Sequence, residues 1–341
     1  MANFASDNTA AVHPAVMAAM AAVNDGNAPA YGNDETTQAL NHRLRQVFGN
    51  PDLRAFPVFN GSACNGLALA RMIRPYESVL AHRQAHINND ECGLPEFYTS
   101  GKIVPLHGRG AKIDPDGVAR LIEASLDHSP HTSRPRAISV TQSTELGTVY
   151  TLAELRELRA IADRFGMFMH MDGARIANAV AALGADPAEV VKSIDILSFG
   201  GTKNGAMLAE AAVILNPALI DDFAYIHKRA GQLPSKARYV SAQLLALLSD
   251  GLWIELGAHA NAMARVLRDG LIAMEGADLL YPVEANELFV TLPKRTADAA
   301  LAKGHRFYRW PNEGDNAYRL VTSYMTTATE VEAFLKDCAG A

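Results

Sequence analysis

A single lysine in a glycine-rich turn has the most specific chemical setting in this sequence. Residues 196–205 are an apolar run that ends in Phe-Gly-Gly-Thr-Lys-Asn-Gly and presents Lys203. A lysine that forms a Schiff base must be partly desolvated, and the backbone around it must admit a bulky cofactor. Gly200, Gly201 and Gly205 would give that room, because they lack a Cβ. Taken alone, the turn also fits a surface lysine between a strand and a helix.

A carboxylate, Asp172, follows a second apolar run at residues 167–171 and begins the segment Asp-Gly-Ala-Arg. In open α/β sheets, ligands bind at the carboxyl ends of parallel strands. A buried carboxylate there can pair with a pyridine nitrogen and keep it protonated, so that the ring accepts electrons. Aspartate is also a common helix cap, and this residue alone does not decide between the two roles.

A third segment, Phe-Asn-Gly-Ser-Ala-Cys-Asn at residues 59–65, has the pattern of a strand, a turn and the start of a helix. The backbone N–H groups of a helix N-terminus can bind phosphate. The segment lacks the glycine spacing of a dinucleotide fingerprint and the lysine of a P-loop. The order of the three segments, namely phosphate turn, strand-end Asp172 and glycine-flanked Lys203, favours pyridoxal phosphate as the ligand.

The elements that must position these residues alternate between strands and helices over the first two thirds of the chain. A helix over residues 151–165 keeps apolar residues on one face and opens with Thr151 and Glu154 as a capping box. This alternation predicts an α/β fold with a mostly parallel sheet covered on both faces. Strands are predicted at residues 55–59, 78–81, 103–106, 137–141, 167–171, 194–199 and 211–215.

After residue 215 the pattern changes to long helices and then to a small α+β arrangement. The predicted elements there are helices at 217–230, 235–248 and 252–274, a strand at 288–292, a helix at 296–303, a strand at 319–323 and a last helix that ends at 337.

Composition restricts the class of protein. The chain has 341 residues, of which 49% are hydrophobic and 20% are charged, and its net charge is −6. This balance is typical of a globular protein and argues against nucleic-acid binding. Residues 1–20 fit neither a signal peptide nor a membrane span. Cys64, Cys92 and Cys338 stand at unrelated spacings, which indicates reduced thiols in the cytoplasm and no metal site.

The sequence resembles the threonine aldolase and β-eliminating lyase family of fold-type-I pyridoxal-phosphate enzymes, and within it the bacterial low-specificity L-threonine aldolases. The resemblance extends over nearly the whole chain, and its two most specific segments are His-Met-Asp-Gly-Ala-Arg and Phe-Gly-Gly-Thr-Lys-Asn-Gly. The segments that carry it are residues 4–8, 30–34, 59–62, 85–86, 90–93, 141–150, 170–175, 198–205, 230–236 and 282–286.

The resemblance implies a fold and a domain organisation. The fold is that of the fold-type-I pyridoxal-phosphate-dependent transferases, with a mostly parallel seven-stranded sheet in a large domain and a small α+β C-terminal domain. Residues 16–250 would form the large cofactor-binding domain and residues 251–341 the small domain. Residues 1–15 would pack near the small domain. The family also implies a homotetramer built from dimers that share active sites.

The resemblance assigns cofactor roles residue by residue. Lys203 would carry the Schiff base, Asp172 would pair with the pyridine nitrogen, and His86 would stack on the ring. Without the resemblance, His86 is a histidine in a polar loop. Gly61, Ser62 and Arg175 also belong to the implied cofactor site. Arg229 and Lys236 would direct their charges toward the phosphate, in some relatives from a neighbouring subunit; a solvated helix face explains these two equally well.

The resemblance also assigns substrate roles. Arg175, Arg319 and Ser6 would hold the substrate carboxylate, since a guanidinium binds a carboxylate with two parallel hydrogen bonds. His131 would meet the β-hydroxyl group of the substrate, with His128 as a competitor close in sequence. Tyr31 and Thr144 are expected to line the pocket, without a derived role.

The function that follows is the retro-aldol cleavage of L-threonine, L-allo-threonine and other β-hydroxy-α-amino acids to glycine and an aldehyde. His131 would remove the hydroxyl proton, because an imidazole titrates near neutral pH. The alternatives are a phenylserine-preferring aldolase or another pyridoxal-phosphate-dependent β-eliminating lyase, which would share every cofactor residue. A cofactor-binding protein without catalysis, or an α/β domain without cofactor, is the competing class. The expected partners are small amino-acid substrates, without nucleic acid, membrane or metal.

Overall fold

Seven strands form one large, mostly parallel sheet. The computed structural model describes residues 1–340. Strands β2 to β6 run parallel to one another, whereas β7 runs antiparallel to both β1 and β6. The order across the sheet is β1-β7-β6-β5-β4-β2-β3. The strands are β1 (Arg54–Val58), β2 (Glu77–His82), β3 (Lys102–Leu106), β4 (Arg134–Thr141), β5 (Phe168–Gly173), β6 (Ile196–Gly200) and β7 (Glu210–Ile214). The predicted sheet is confirmed.

Helices cover both faces of this sheet, as the alternating pattern predicts. In chain order the helices are α1 (Pro14–Ala22), α2 (Glu35–Val47), α3 (Gly61–Met72), α4 (His86–Asn89), α5 (Leu94–Thr99), α6 (Pro115–Asp127), α7 (Leu152–Arg164), α8 (Ile176–Leu183), α9 (Pro187–Val191), α10 (Phe223–Arg229), α11 (Arg238–Leu248), α12 (Leu252–Ile272), α13 (Lys294–Ala302) and α14 (Ala328–Ala339). Leu40 of α2 and Leu155 of α7 belong to the apolar cluster of one face, and Leu67 of α3 belongs to that of the other.

Two predicted helices are shorter than the sequence pattern indicates. The prediction for residues 217–230 is wrong in part, because a short 3-10 turn at Pro217–Leu219 is followed by α10 only after a break. Asp222 causes that break, since its φ of 67° lies in the left-handed region that a continuous helix excludes. Helix α11 begins at Arg238 and not at residue 235, because Gly231 and Pro234 precede it in a loop.

A second, antiparallel sheet of four strands follows the long helix α12. Its order is β10-β11-β9-β8. The chain's first residues pack against it: the Val321 N–H donates to the Phe4 carbonyl, and Phe4 shares an apolar cluster with Leu320 of β11 and Phe334 of α14. The strands are β8 (Asp278–Leu279), β9 (Glu287–Thr291), β10 (Tyr308–Arg309) and β11 (Ala317–Val321). The predicted boundary between a large domain that ends at residue 250 and a small domain that begins at residue 251 stays a prediction. The last residue of the predicted small domain, Ala341, lies outside the described residues.

Within residues 1–340, no helix combines the length and the apolar character that crossing a bilayer requires.

The capping box before α7 is present as predicted. Glu154 N–H donates to Thr151 Oγ1 at 3.2 Å, and Thr151 N–H donates to Glu154 Oε2 at 2.7 Å. We expect Thr151→Ala to lower the free energy of unfolding by about 1 kcal/mol, because one N–H of the first turn loses its acceptor. Urea denaturation followed by circular dichroism measures this change. Thr151→Ser keeps the hydroxyl group and is the matched control; equal stability of the alanine and serine variants would contradict the prediction.

Candidate active site

A cavity of about 400 Å³ lies at the carboxyl ends of the parallel strands. It brings together six of the residues that the sequence and the family resemblance predict for the site: Gly61, Ser62, His86, Asp172, Arg175 and Lys203. The other residues that line it are Asn8, Phe59, Asn60, Asn65, Glu91, Thr141, Ser143, Glu145, Ala174, Thr202, Leu208 and Glu210.

Asp172 is held at the end of β5 by two donors. Its Oδ1 accepts from the Ala174 N–H at 2.9 Å, and its Oδ2 accepts from Asn65 Nδ2 at 2.9 Å. Because side chains alternate along a strand, Asp172 faces helix α3, while Met171 packs into the apolar cluster on the opposite face. The carboxylate is buried and fixed, as pairing with a cofactor ring nitrogen requires.

The lysine turn is fixed by a carboxylate that sequence analysis missed. Lys203 lies in a 3-10 turn directly after β6, and Glu210 at the start of β7 accepts from the Gly201 and Thr202 N–H groups at 2.9 and 3.2 Å. Burial raises the pKa of Glu210 to about 7, against the lowering effect of these hydrogen bonds. Glu210 therefore holds the backbone on which Lys203 is presented.

Two glycines of this turn are required by close packing of neighbouring backbone and not by space for a cofactor. A Cβ on Gly200 would come within 2.6 Å of the Ala174 carbonyl oxygen, and one on Gly201 within 2.5 Å of the Ala209 carbonyl oxygen. These two positions exclude a side chain because neighbouring backbone occupies the space. The expectation that Gly200 and Gly201 make room for a cofactor is corrected accordingly.

The N-terminus of α3 supplies the predicted anion site. Gly61 and Ser62 occupy the first two helical positions, where backbone N–H groups have no acceptor within the helix. Asn60 is the N-cap of the same turn, and its Oδ1 accepts from the Ala63 N–H at 2.8 Å. A Cβ on Gly61 would meet no atom within 4 Å, so the space in front of the helix is open. This end of the cavity suits a phosphate.

His86 reaches Asp172 through a chain of buried polar groups. Its Nδ1 lies 2.8 Å from Glu91 Oε1, and the same oxygen accepts from Asn65 Nδ2 at 2.8 Å. The Glu91 hydrogen bond raises the pKa of His86 against the effect of burial. Burial in turn raises the pKa of Glu91. The imidazole is thereby oriented, and it remains partly exposed to the cavity.

The two predicted carboxylate-binding arginines already have carboxylate partners. Arg175 Nε and Nη2 donate to Asp7 at 2.7 and 2.9 Å, and Arg175 Nη1 lies 3.2 Å from Glu287 Oε2. Arg319 Nη2 donates to Glu287 Oε1 at 2.6 Å. Burial would raise the pKa of Asp7, but Arg175 outweighs it and holds that pKa below its ordinary value. Only Arg175 lines the cavity, so a direct substrate contact by Arg319 is not seen in this arrangement.

His131 lies at the opposite edge of the sheet from the cavity. It precedes β4, whose first residue is Arg134, whereas the cavity begins where β4 ends at Thr141. Seven steps of about 3.3 Å separate the ends of this strand by roughly 23 Å. Within one chain, therefore, His131 lies far from Asp172, and its contact with a substrate hydroxyl stays a prediction that would require a neighbouring subunit. The nearby His128 lies at the same edge.

Other predicted residues also lie outside the cavity. Tyr31 is 50% exposed, and its N–H donates to the Ser235 carbonyl. Arg229 and Lys236 are exposed, and neither forms an ion pair within residues 1–340. Ser6 accepts from the Asn8 N–H at 3.2 Å and stands next to Asp7, which binds Arg175. Thr144 is buried against Thr148 at 2.8 Å.

Sequence analysis also missed Glu145. Its Oε1 accepts from the His86 N–H at 2.8 Å and from Thr141 Oγ1 at 2.7 Å, whereas its Oε2 is buried without a partner among the described residues. Burial raises the pKa of Glu145 to about 7. The residue belongs to the quoted segment 141–150, but nothing local distinguishes it from an ordinary turn glutamate.

The chain is similar to known proteins over nearly its whole length. A family model described as beta-eliminating lyase matches residues 3–294. The low specificity L-threonine aldolase of Pseudomonas sp. (strain NCIMB 10558) is 40% identical over 338 residues, which are 98% of this chain and 96% of that protein. The Escherichia coli (strain K12) enzyme of the same name is 26% identical over 88% of this chain and 87% of its own. The threonine aldolase structure from Leishmania major superposes with a TM-score of 0.94 at 29% identity, covering 99% and 98% of the two chains.

We expect Glu91→Gln to lower the pKa of His86, because a neutral amide no longer stabilises the imidazolium. NMR titration of histidines labelled at Cε1 measures the change, with His86→Asn to assign the signal. His82 is an internal control, since its pKa is lowered by burial and its Nε2 contacts the Gly108 carbonyl, not Glu91. An unchanged His86 midpoint in Glu91→Gln, with an unchanged His82, would contradict the prediction.

Proposed function

The chain belongs to the beta-eliminating lyase family, and from this premise we propose that it is a pyridoxal-phosphate-dependent aldehyde-lyase that cleaves L-threonine and L-allo-threonine to glycine and acetaldehyde. One observation carries the proposal: Lys203, Asp172 and the N-terminus of α3 line the same cavity. The relatives of similar length that match nearly the whole chain are named threonine aldolases, which supports the same reaction.

The residues present fit pyridoxal phosphate at each of its functional groups. The free N–H groups at Gly61 and Ser62 suit the phosphate, and the buried carboxylate of Asp172 suits a protonated ring nitrogen. Lys203 supplies the amine that bonds to the aldehyde, and His86 supplies a flat ring that can stack on the cofactor. When bound, the cofactor accepts the negative charge that develops at Cα of the substrate.

The substrate carboxylate would bind at Arg175. Asp7 and Glu287 hold the guanidinium in place, and its remaining N–H hydrogens can donate to a third carboxylate. Ser6 stands beside Asp7 and would add a hydroxyl donor from the same segment. Arg319 would act through Glu287 by balancing its charge, and so would hold the orientation of Arg175.

We also propose a homotetramer of dimers with shared active sites. Four of the predicted site residues lie outside the cavity of their own chain and are exposed, so they are available to a neighbouring subunit: Tyr31, His131, Arg229 and Lys236. A cytoplasmic location is part of the same proposal, because Cys64, Cys92 and Cys338 are all unpaired. Light scattering of the purified protein measures the oligomeric state directly.

We expect Lys203→Ala to abolish both covalent cofactor attachment and threonine cleavage. Purified wild type should be yellow with pyridoxal phosphate, and borohydride should fix the cofactor to the protein. Lys192→Ala, at an exposed lysine after α9, is the matched control and should keep both properties. Borohydride-fixed cofactor and full turnover in Lys203→Ala would overturn the assignment.

The products identify the reaction. Acetaldehyde and glycine from L-threonine and L-allo-threonine are the expected result. Benzaldehyde from phenylserine, without acetaldehyde from threonine, would indicate a phenylserine-preferring aldolase. Pyruvate and ammonia from a β-substituted alanine would indicate a β-eliminating lyase. These alternatives would use the same cofactor residues, so the arrangement of the site does not distinguish them. The product formed from each substrate does.

A further inference from the structure

Retro-aldol cleavage requires a group that takes the proton from the β-hydroxyl of the substrate. His131 lies at the amino ends of the strands in its own chain and could act only from a neighbouring subunit, so the groups that line the cavity itself are the candidates within one chain. The carboxyl groups that line the cavity are Glu91, Glu145, Asp172 and Glu210. The hydrogen bonds of each carboxyl group indicate which role that group can perform.

Three of the four carboxyl groups already form hydrogen bonds that hold other parts of the site in place. Both oxygens of Asp172 accept hydrogen bonds, and both oxygens of Glu210 accept from the backbone of the lysine turn. Glu91 Oε2 has no partner within residues 1–340, but Glu91 Oε1 lies 2.8 Å from His86 Nδ1, so a proton on this carboxyl group would be shared with the imidazole. Each of these groups holds another part of the site.

Glu145 differs because only neutral donors contact it. The Thr141 hydroxyl and the His86 N–H both bond to Oε1, and Oε2 remains buried and without a partner among the described residues. A buried carboxyl oxygen without a partner is costly unless a ligand completes its hydrogen bonding. Glu145 lines the cavity, and its backbone bond to His86 places it beside the residue assigned to stack on the cofactor.

We propose that Glu145 is the catalytic base that accepts the β-hydroxyl proton of the substrate, an inference that rests on the proposed aldolase function. The O–H bond breaks as its proton moves to the carboxylate of Glu145, which lines the cavity. The Cα–Cβ bond then breaks, its electron pair stays on Cα, and the oxygen and Cβ form the carbonyl of the aldehyde. Glu145 loses its proton to water after the aldehyde leaves, and Cα takes up a proton as glycine forms. In the synthetic direction Glu145 returns a proton to the aldehyde oxygen.

The electrostatic surroundings suit this role near neutral pH. Burial raises the pKa of Glu145 to about 7, the Thr141 and His86 hydrogen bonds lower it, and Asp172 raises it. The carboxylate is therefore the base above about pH 7, and activity should fall as the pH drops through this value. The titratable groups that face it are His86 on α4, Asp172 on β5, Tyr150 before α7, and Glu91 and Lys203 within the cavity.

The test compares two reactions of the holoenzyme. Threonine cleavage needs removal of the hydroxyl proton, whereas exchange of the glycine α-proton with deuterium oxide needs the same cofactor and carboxylate contacts but involves no hydroxyl. Glu145→Gln keeps an acceptor oxygen for Thr141 and His86 while removing the base. We expect kcat for cleavage to fall by about 100-fold or more, the glycine exchange rate to stay within about three-fold, and the acid limb of the pH profile to disappear.

Controls separate this role from a structural one. Glu91→Gln removes the carboxylate that orients His86 and should lower both reactions together. Glu145→Asp keeps a carboxyl group and should keep an acid limb at reduced kcat; it replaces the glutamine variant if that variant loses cofactor absorbance or thermal stability. Equal loss of both reactions in Glu145→Gln, or cleavage at the wild-type rate, would overturn the proposal.

Two further outcomes distinguish the competing assignments. If His131→Asn abolishes cleavage selectively while Glu145→Gln does not, a histidine from another subunit is the base and Glu145 is excluded. If the wild type exchanges the glycine proton but releases no acetaldehyde from threonine, the proposed function fails and this inference fails with it. If the wild type cleaves threonine and Glu145→Gln cleaves it at the same rate, this inference alone is contradicted.

Discussion

Asn65 connects the parts of the site that lie far apart in the chain. Its amide nitrogen donates to Asp172 at the end of β5 and to Glu91 in the loop after α4. The Asp172 and Glu91 carboxylates, which would repel each other, thereby share one amide donor. Glu91 also orients His86. Asp172 and His86, the two groups that would hold the cofactor ring, are thus connected through this amide and Glu91.

Charge balance shapes the other side of the cavity. Arg175 and Arg319 alternate with Asp7 and Glu287, so four buried or half-buried charges compensate one another. Because buried charges are stable only when paired, the N-terminal segment and the four-stranded sheet must both be in place before Arg175 can be presented. This network joins the N-terminal segment and the four-stranded sheet to Arg175, which lines the cavity.

The elements of the fold and the cofactor residues could be predicted from local patterns. The seven strands follow from apolar runs, α7 follows from its spacing and its Thr151 cap, and Lys203 and Asp172 follow from the strand ends that precede them. The break before α10 could not be predicted, because Asp222 adopts a left-handed conformation that is not encoded by helical periodicity. The family resemblance implied a role for each site residue. It did not show that His131 lies far from the cavity of its own chain.

The sequence was sufficient to predict the fold class, the family and a set of candidate cofactor residues, because each depends on short segments that are recognised by their order and spacing along the chain. Only the tertiary structure decided which carboxylates surround the cavity. Asp7 and Arg175 are 168 residues apart, and Glu145 and His86 are 59 apart. Such contacts depend on how strands and loops pack together. The same packing leaves Glu145 Oε2 buried and without a partner in the part of the chain that the structure describes, and it places His131 at the amino ends of the strands.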